Sequence, residues 1–149
     1  MFTLVSVCLL TSVGVSQAQP DKIGKMASLT QWMVGTWTGI GSQSGTGSSW
    51  SIQLTVQQQG AGGYTYKIDY PSLSCGGYWT LDSAGRNTAG FTEHITYGRE
   101  KCVDLGTISV DLPEGGGIDI EKMAFHWTGT QPNGNVDNAG ATLTRSPLK

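Results

Sequence analysis

The sequence predicts an all-β protein: about eight antiparallel strands, each paired with the next, curled into an up-and-down barrel behind a short N-terminal helical turn. Three observations carry that reading. Beyond Val34 the apolar residues recur at every second position in run after run. Each run ends in a short turn rich in Gly, Pro, Asn or Asp, with no room for a crossover helix, so sequential antiparallel pairing is the simplest topology. Cys75 and Cys102 bracket one strand–turn–strand segment, where a bond between them would staple it.

The elements follow in order. The first eighteen residues carry no charge, residues 4–15 are apolar, and Ser16 and Ala18 form a small-x-small pair before Gln19. This pattern predicts a secretory leader over 1–18, too short to span a bilayer. Cys8 lies inside it, but Val7 is a poor residue to precede a lipidated cysteine. Residues 19–33 are a lead-in containing the one expected helix (21–33), with Ser28 capping a turn that gathers Leu29, Trp32 and Met33 on one side. Residues 34–149 are expected to form the single barrel domain.

Its first strand is expected at 35–42, followed by a Gly/Ser-rich loop over 41–49 at a barrel mouth. Trp50, Ile52, Leu54 and Val56 share one parity against Ser51, Gln53, Thr55 and Gln57, the mark of a half-buried strand. Tyr64, Tyr66, Ile68 and Tyr70 form the next inner face, ended by Pro71, and Gly77, Trp79 and Leu81 the one after, with a turn at Asp82–Gly85. Phe91, Glu93, Ile95 and Tyr97 share a parity, as do Ile108, Val110 and Leu112 before Pro113 and the Gly115–Gly117 run. Residues 118–128, with Phe125 and Trp127 inward, and 140–146, with Leu143 and Arg145, complete the set around a turn at Pro132–Asn135.

Composition narrows the function. Nine basic residues against eleven acidic ones give a net charge of −2, and no basic cluster occurs, which argues against nucleic-acid binding and against a polybasic membrane patch. The 22 glycines are scattered without a collagen period. With the leader removed, the chain is one domain with a single core. Two cysteines in an exported chain favour an intrachain disulfide over free thiols or a bond to another chain. Closing that loop is worth roughly 3–4 kcal/mol in the chain-entropy picture. Secreted or periplasmic location is therefore expected, without stable membrane insertion.

Gly35-Thr36-Trp37 opens the first strand and Arg145 sits on the last. This resembles the lipocalin/calycin pattern. The resemblance implies that Trp37 packs under Arg145 and closes the barrel, with a cation–π contact worth about 0.5–2 kcal/mol. Avidin-like barrels also begin with Gly-Thr-Trp, but their biotin-contact pattern is not found. The central stretch, Tyr70-Pro71-x-Leu73-x-Cys75-Gly76-Gly77 followed by Phe91-x-Glu93-x-Ile95-x-x-Gly98-Arg99-x-x-Cys102-Val103-Asp104-x-Gly106, resembles a small exported bacterial module found alone or attached to larger surface proteins. That resemblance, over about residues 33–129, implies a disulfide-stapled extracytoplasmic β-domain and no particular reaction.

Glu93 is the residue of most chemical interest. Its parity points it inward, where a carboxylate is costly unless paired or hydrogen-bonded. Arg145, Arg99, Tyr66 and His126 are the expected partners. A ligand-binding set of Tyr66, Trp79, Glu93, Tyr97 and Arg145 is predicted, in an interior where the rings of Tyr64, Tyr66, Tyr70, Trp79, Tyr97 and Trp127 could line a pocket. The plainer reading is that most of the rings fill the core and that Glu93 sits in a structural ion pair or faces the mouth, solvated. The segment 98–102, pinned by Cys102, is either a contact loop or a solvated turn. His94 and His126 lack ligand spacing for a metal, and Gly41-Ser-Gln43-Ser-Gly45 is not a nucleophile elbow. No cofactor fingerprint is present among the glycines. The leading expectation is a non-enzymatic exported binding protein that recognises a small apolar or aromatic molecule, a glycan or a protein through its interior or mouth loops. The alternatives are a secreted protease or lysozyme inhibitor, a calycin-type enzyme using Glu93, and a purely structural surface domain.

Overall fold

The computed structural model describes residues 19–113 and 120–147; the expected leader 1–18 with Cys8, and the Gly115–Gly117 turn, lie outside them. The strands are β1 (Gly35–Gln43), β2 (Ser49–Gln59), β3 (Gly63–Tyr70), β4 (Cys75–Ala84), β5 (Thr88–Tyr97), β6 (Thr107–Asp111), β7 (Lys122–Thr130) and β8 (Val136–Arg145). They form a closed barrel in sequential order, eight strands with every neighbouring pair antiparallel. Closure is made by β1 against β8, which pairs Trp37 with Arg145 and Gln43 with Ala139, so no edge strand is left open.

The predicted alternation places the core. Ile52, Leu54 and Val56 on β2, Tyr66, Ile68 and Tyr70 on β3, Phe91, Glu93 and Ile95 on β5, and Ile108 and Val110 on β6 are all buried. Across the middle of the barrel the rings meet directly. Tyr66 lies 4.8 Å from Phe91 between centroids, Trp79 lies 5.3 Å from Phe91, and Trp79 stacks at 6.0 Å on Phe125. This layer is a filled core.

The lead-in closes one end of the barrel. A helix, α1 (Gln19–Ser28), packs against β3 and β4, and a single 3-10 turn (Gln31–Met33) leads into β1. Ser28 is not the N-cap expected from the sequence. It ends α1, where its hydroxyl donates to the Lys25 carbonyl at 2.8 Å, and Thr30 precedes the 3-10 turn without a side-chain cap bond. Thr30 is fully buried and bonds the Tyr66 hydroxyl at 2.6 Å, tying the lead-in to the barrel floor. Arg145 completes this end. Its guanidinium lies 4.3 Å from the Trp37 ring centroid and donates to the carbonyls of Val34, Trp32 (2.5 Å) and Ile120 (2.9 Å). The Trp37 indole N–H donates to the Met33 carbonyl at 2.8 Å.

Two bulges between β4 and β5 alter the predicted faces. Leu81 pairs with Phe91 but Ser83 with Gly90, so Asp82 is an extra residue on β4. The strand consequently runs on to Ala84, and the turn falls at 85–87 rather than at Asp82–Gly85. At the other end Gly77 pairs with Ile95 but Gly76 with Tyr97, which leaves Thr96 extra on β5. The alternation slips by one there, and Tyr97, expected inside, stands 45% exposed on the outer face with its hydroxyl on Asp69 Oδ1 at 2.7 Å. Gly77 makes this approach sterically feasible, because a Cβ there would sit 1.8 Å from the His94 carbonyl oxygen.

Candidate functional site

The end opposite the lead-in is open. A cavity of about 260 Å³ lies at this mouth, just below the ligand-pocket range of roughly 300–1,000 Å³. Trp50 at the start of β2, Tyr70 at the end of β3, Leu73, Trp127 on β7 and the disulfide-borne segment Lys101–Val103 wall it, with Gln43, Ser48, Ser49 and Gln131 at its sides. Glu93 lines it from β5. The Gly/Ser-rich stretch is shorter than expected, because β1 extends to Gln43 and β2 begins at Ser49, but its remaining residues do sit beside the mouth. A polar rim cleft with Asn133, Asn135 and Asp137 shares Gln43 and Gln131 with the cavity.

Glu93 is 1% exposed and is held by three neutral donors. Oε1 accepts from the Tyr70 hydroxyl at 2.6 Å and from the Trp79 indole at 3.1 Å; Oε2 accepts from the Trp127 indole at 3.1 Å. Trp79 is its cross-strand partner in the β4–β5 register. Trp127 reaches it because Gly106 and Gly129 leave space for the indole: a Cβ on either would lie within 2.3 Å of that ring. The Glu93 backbone is held just as firmly, donating to the Gly106 carbonyl and accepting from the Leu105 N–H. Just ahead of β6, the chain from Asp104 to Gly106 thus takes the place of a sheet neighbour for β5, and Asp104 Oδ1 accepts the Ile95 N–H at 2.8 Å.

None of the expected partners of Glu93 bonds its carboxylate. Arg145 is engaged at the far end, Tyr66 bonds Thr30, and His126 has the outward parity of β7. Three hydrogen bonds from Tyr70, Trp79 and Trp127 take the place of Arg145, Arg99, Tyr66 or His126. They favour the ionised carboxylate, but burial works against it and is the larger effect, with the nearby Asp104 charge adding to it, so the Glu93 pKa is raised above 4.5. Burial and the Glu93 charge together hold the Tyr70 phenol protonated, far above its usual range, which keeps it a donor. The Asp104 carboxyl is shifted the other way, chiefly by the Ile95 N–H.

Of the predicted ligand-binding set Glu93 alone lines the cavity, joined by Tyr70 and Trp127 from the ring-rich interior, by Lys101 and Cys102 of the 98–102 segment and by Gln43, Ser48 and Ser49 of the Gly/Ser-rich stretch. Trp79 supports Glu93 from the core, Tyr66 belongs to the closed end, Tyr97 is on the outer face, and Arg145 stands with Trp37 at the opposite end. Trp50, Tyr70 and Trp127 each have inward parity, but their meeting around one cavity depends on strand register. Cys75 and Cys102 are bonded, with Cα atoms 6.3 Å apart. Gly98 allows the return of the loop: its φ is +65°, and a Cβ there would collide with the Ser74 carbonyl and Cys75.

No protein-family model matches the chain, and no curated protein does. Among solved structures it is similar to a redesigned β-barrel, 19% identical with a TM-score of 0.48, the match covering 82% of this chain and 96% of that one. Among the described residues no helix is long and apolar enough to cross a membrane.

Proposed function

We propose that this is an exported, calycin-like binding protein that takes a small molecule into its mouth cavity. The observation that carries the reading is a cup: one barrel end sealed by the lead-in and Arg145, the other open onto a ring-walled cavity with a buried carboxylate in its lining. Such a combination of apolar walls and a few convergent polar groups is what small-molecule sites use to fix orientation. The site is also preorganised, because the Cys75–Cys102 bond and the 104–106 segment hold the loop beside Glu93 before any ligand arrives. Export is supported by the apolar leader-like segment 1–18 and by the disulfide, and the calycin reading by Trp37 under Arg145 in a closed sequential barrel.

The test is a small-molecule screen read by tryptophan fluorescence, since Trp50 and Trp127 line the cavity. Binders are expected for the native chain and should be lost in Val103→Trp, which fills the mouth, while far-UV circular dichroism stays unchanged. Binders that persist in a folded Val103→Trp protein would place the site elsewhere and refute the reading.

A further inference from the structure

The chemistry of the cavity narrows the ligand class, on the premise that the mouth is a small-molecule site. Glu93 has lone-pair capacity for about four hydrogen bonds, and three are taken, two on Oε1 and one on Oε2. All three donors are neutral. Among the described residues the one ion pair is Lys67 with Asp69, between residues of the outward parity of β3. The buried carboxylate therefore has hydrogen bonds but no counter-charge, and the lone-pair capacity left on Oε2 belongs to a residue that lines the cavity. Rings of Trp50, Tyr70 and Trp127 surround the same space.

We propose that the cavity binds a small organic monocation: a protonated amine on an apolar or aromatic body, its N–H donating to Glu93 Oε2 and its body packed among Trp50, Tyr70 and Trp127. An ammonium supplies both of the things Glu93 lacks, a fourth hydrogen bond and an opposite charge, and aromatic walls attract cations more than neutral groups. A neutral hydroxyl could take the fourth bond but would leave the charge unpaired. An anion would face Glu93, with Asp104 close behind it. The remaining charged group lining the cavity is Lys101, an exposed residue on the disulfide-pinned loop. Arg99 on that loop acts on Asp104. Lys101 disfavours a second positive charge at the mouth, so monocations are selected over diamines.

The test uses three matched probes, phenethylammonium, 2-phenylethanol and 3-phenylpropionate, titrated near neutral pH against the disulfide-bonded protein by calorimetry and tryptophan fluorescence. The ammonium should bind about ten-fold or more tightly than the alcohol, and the propionate most weakly. In Glu93→Gln the advantage of the ammonium should collapse while the alcohol still binds. Lys101→Met, a rim change that leaves the core intact, should tighten ammonium binding by about two- to five-fold. Equal affinity for alcohol and ammonium, or an advantage that survives Glu93→Gln, would overturn the cation assignment and leave the small-molecule reading standing. If none of the three probes binds the native protein, the cation assignment is overturned. A screen that then also fails to find a binder would overturn the small-molecule reading.

Discussion

Replacing both bonded cysteines, Cys75→Ala with Cys102→Ala, separates the staple from the rest of the fold. The bond closes a sequence separation of 27 residues. For a loop of that length, loss of the cross-link frees the unfolded chain and lowers stability by about 3.5 kcal/mol. Cys75 is also fully buried, so truncating it removes packing and adds about 0.5–1 kcal/mol. Together these lower the melting temperature by roughly 10–15 °C for a domain of this size. Paired urea and thermal unfolding of the native and variant proteins, followed by tryptophan fluorescence and circular dichroism, measures the difference. The damage should be concentrated at the mouth, because Lys101, Cys102 and Val103 line the cavity and the chain just beyond them holds the Glu93 backbone. Amide exchange should therefore rise first in 98–106, before the Trp37–Arg145 end. A loss of less than about 1 kcal/mol, with mass spectrometry confirming the bond in the native protein, would refute this reasoning.

Three further outcomes are expected. Arg145→Met leaves the carbonyls of Trp32, Val34 and Ile120 without their donor and uncovers Trp37, which should cost about 3 kcal/mol or more in urea unfolding; a change within about 0.5 kcal/mol would deny Arg145 its closing role. Gly77→Ala forces a Cβ against the backbone of His94 and should destabilise by about 3 kcal/mol, whereas Tyr97→Phe on the exposed face should cost under about 1 kcal/mol; the reverse order would mean that the bulge is misplaced. Glu93 sets a pH dependence. Its folded pKa lies above its unfolded one, so its contribution to stability is greatest below the unfolded value and falls as pH rises through the raised folded value. The native protein should lose stability relative to Glu93→Gln across that window, a comparison in which the opposite dependence from Asp104 cancels. A relative gain with rising pH would contradict the sign.

Much of this fold could be read in the chain because side-chain parity on a strand is local. The inner face of β2 and the inward placing of Glu93 follow from spacing two residues apart, and Trp37 with Arg145 follows from the resemblance. What failed depends on facing strands. Nothing around Thr96 marks a bulge; Gly77 permits it from the neighbouring strand, and the slip turned Tyr97 outward. The partners of Glu93 were missed for a similar reason. Trp127 lies 34 residues away and meets it only through the curvature of the closed barrel, so strand parity alone does not single out Tyr70, Trp79 and Trp127 over Arg145, Arg99, Tyr66 or His126. Gly106 and Gly129, which make room for that indole, were the available signal, but their meaning requires the register of β6 and β7. Ser28 matches a capping residue by type, yet it is the last residue of α1.

The most direct measurement is a nuclear magnetic resonance titration of the Glu93 carboxyl carbon in the isotopically labelled, disulfide-bonded protein. A carboxylate buried among neutral donors without a counter-ion should titrate above its ordinary 4.5 and move back down when phenethylammonium is added. A midpoint at or below 4.5, unmoved by the amine, would show a solvated or already ion-paired side chain and contradict the uncompensated charge at the barrel mouth.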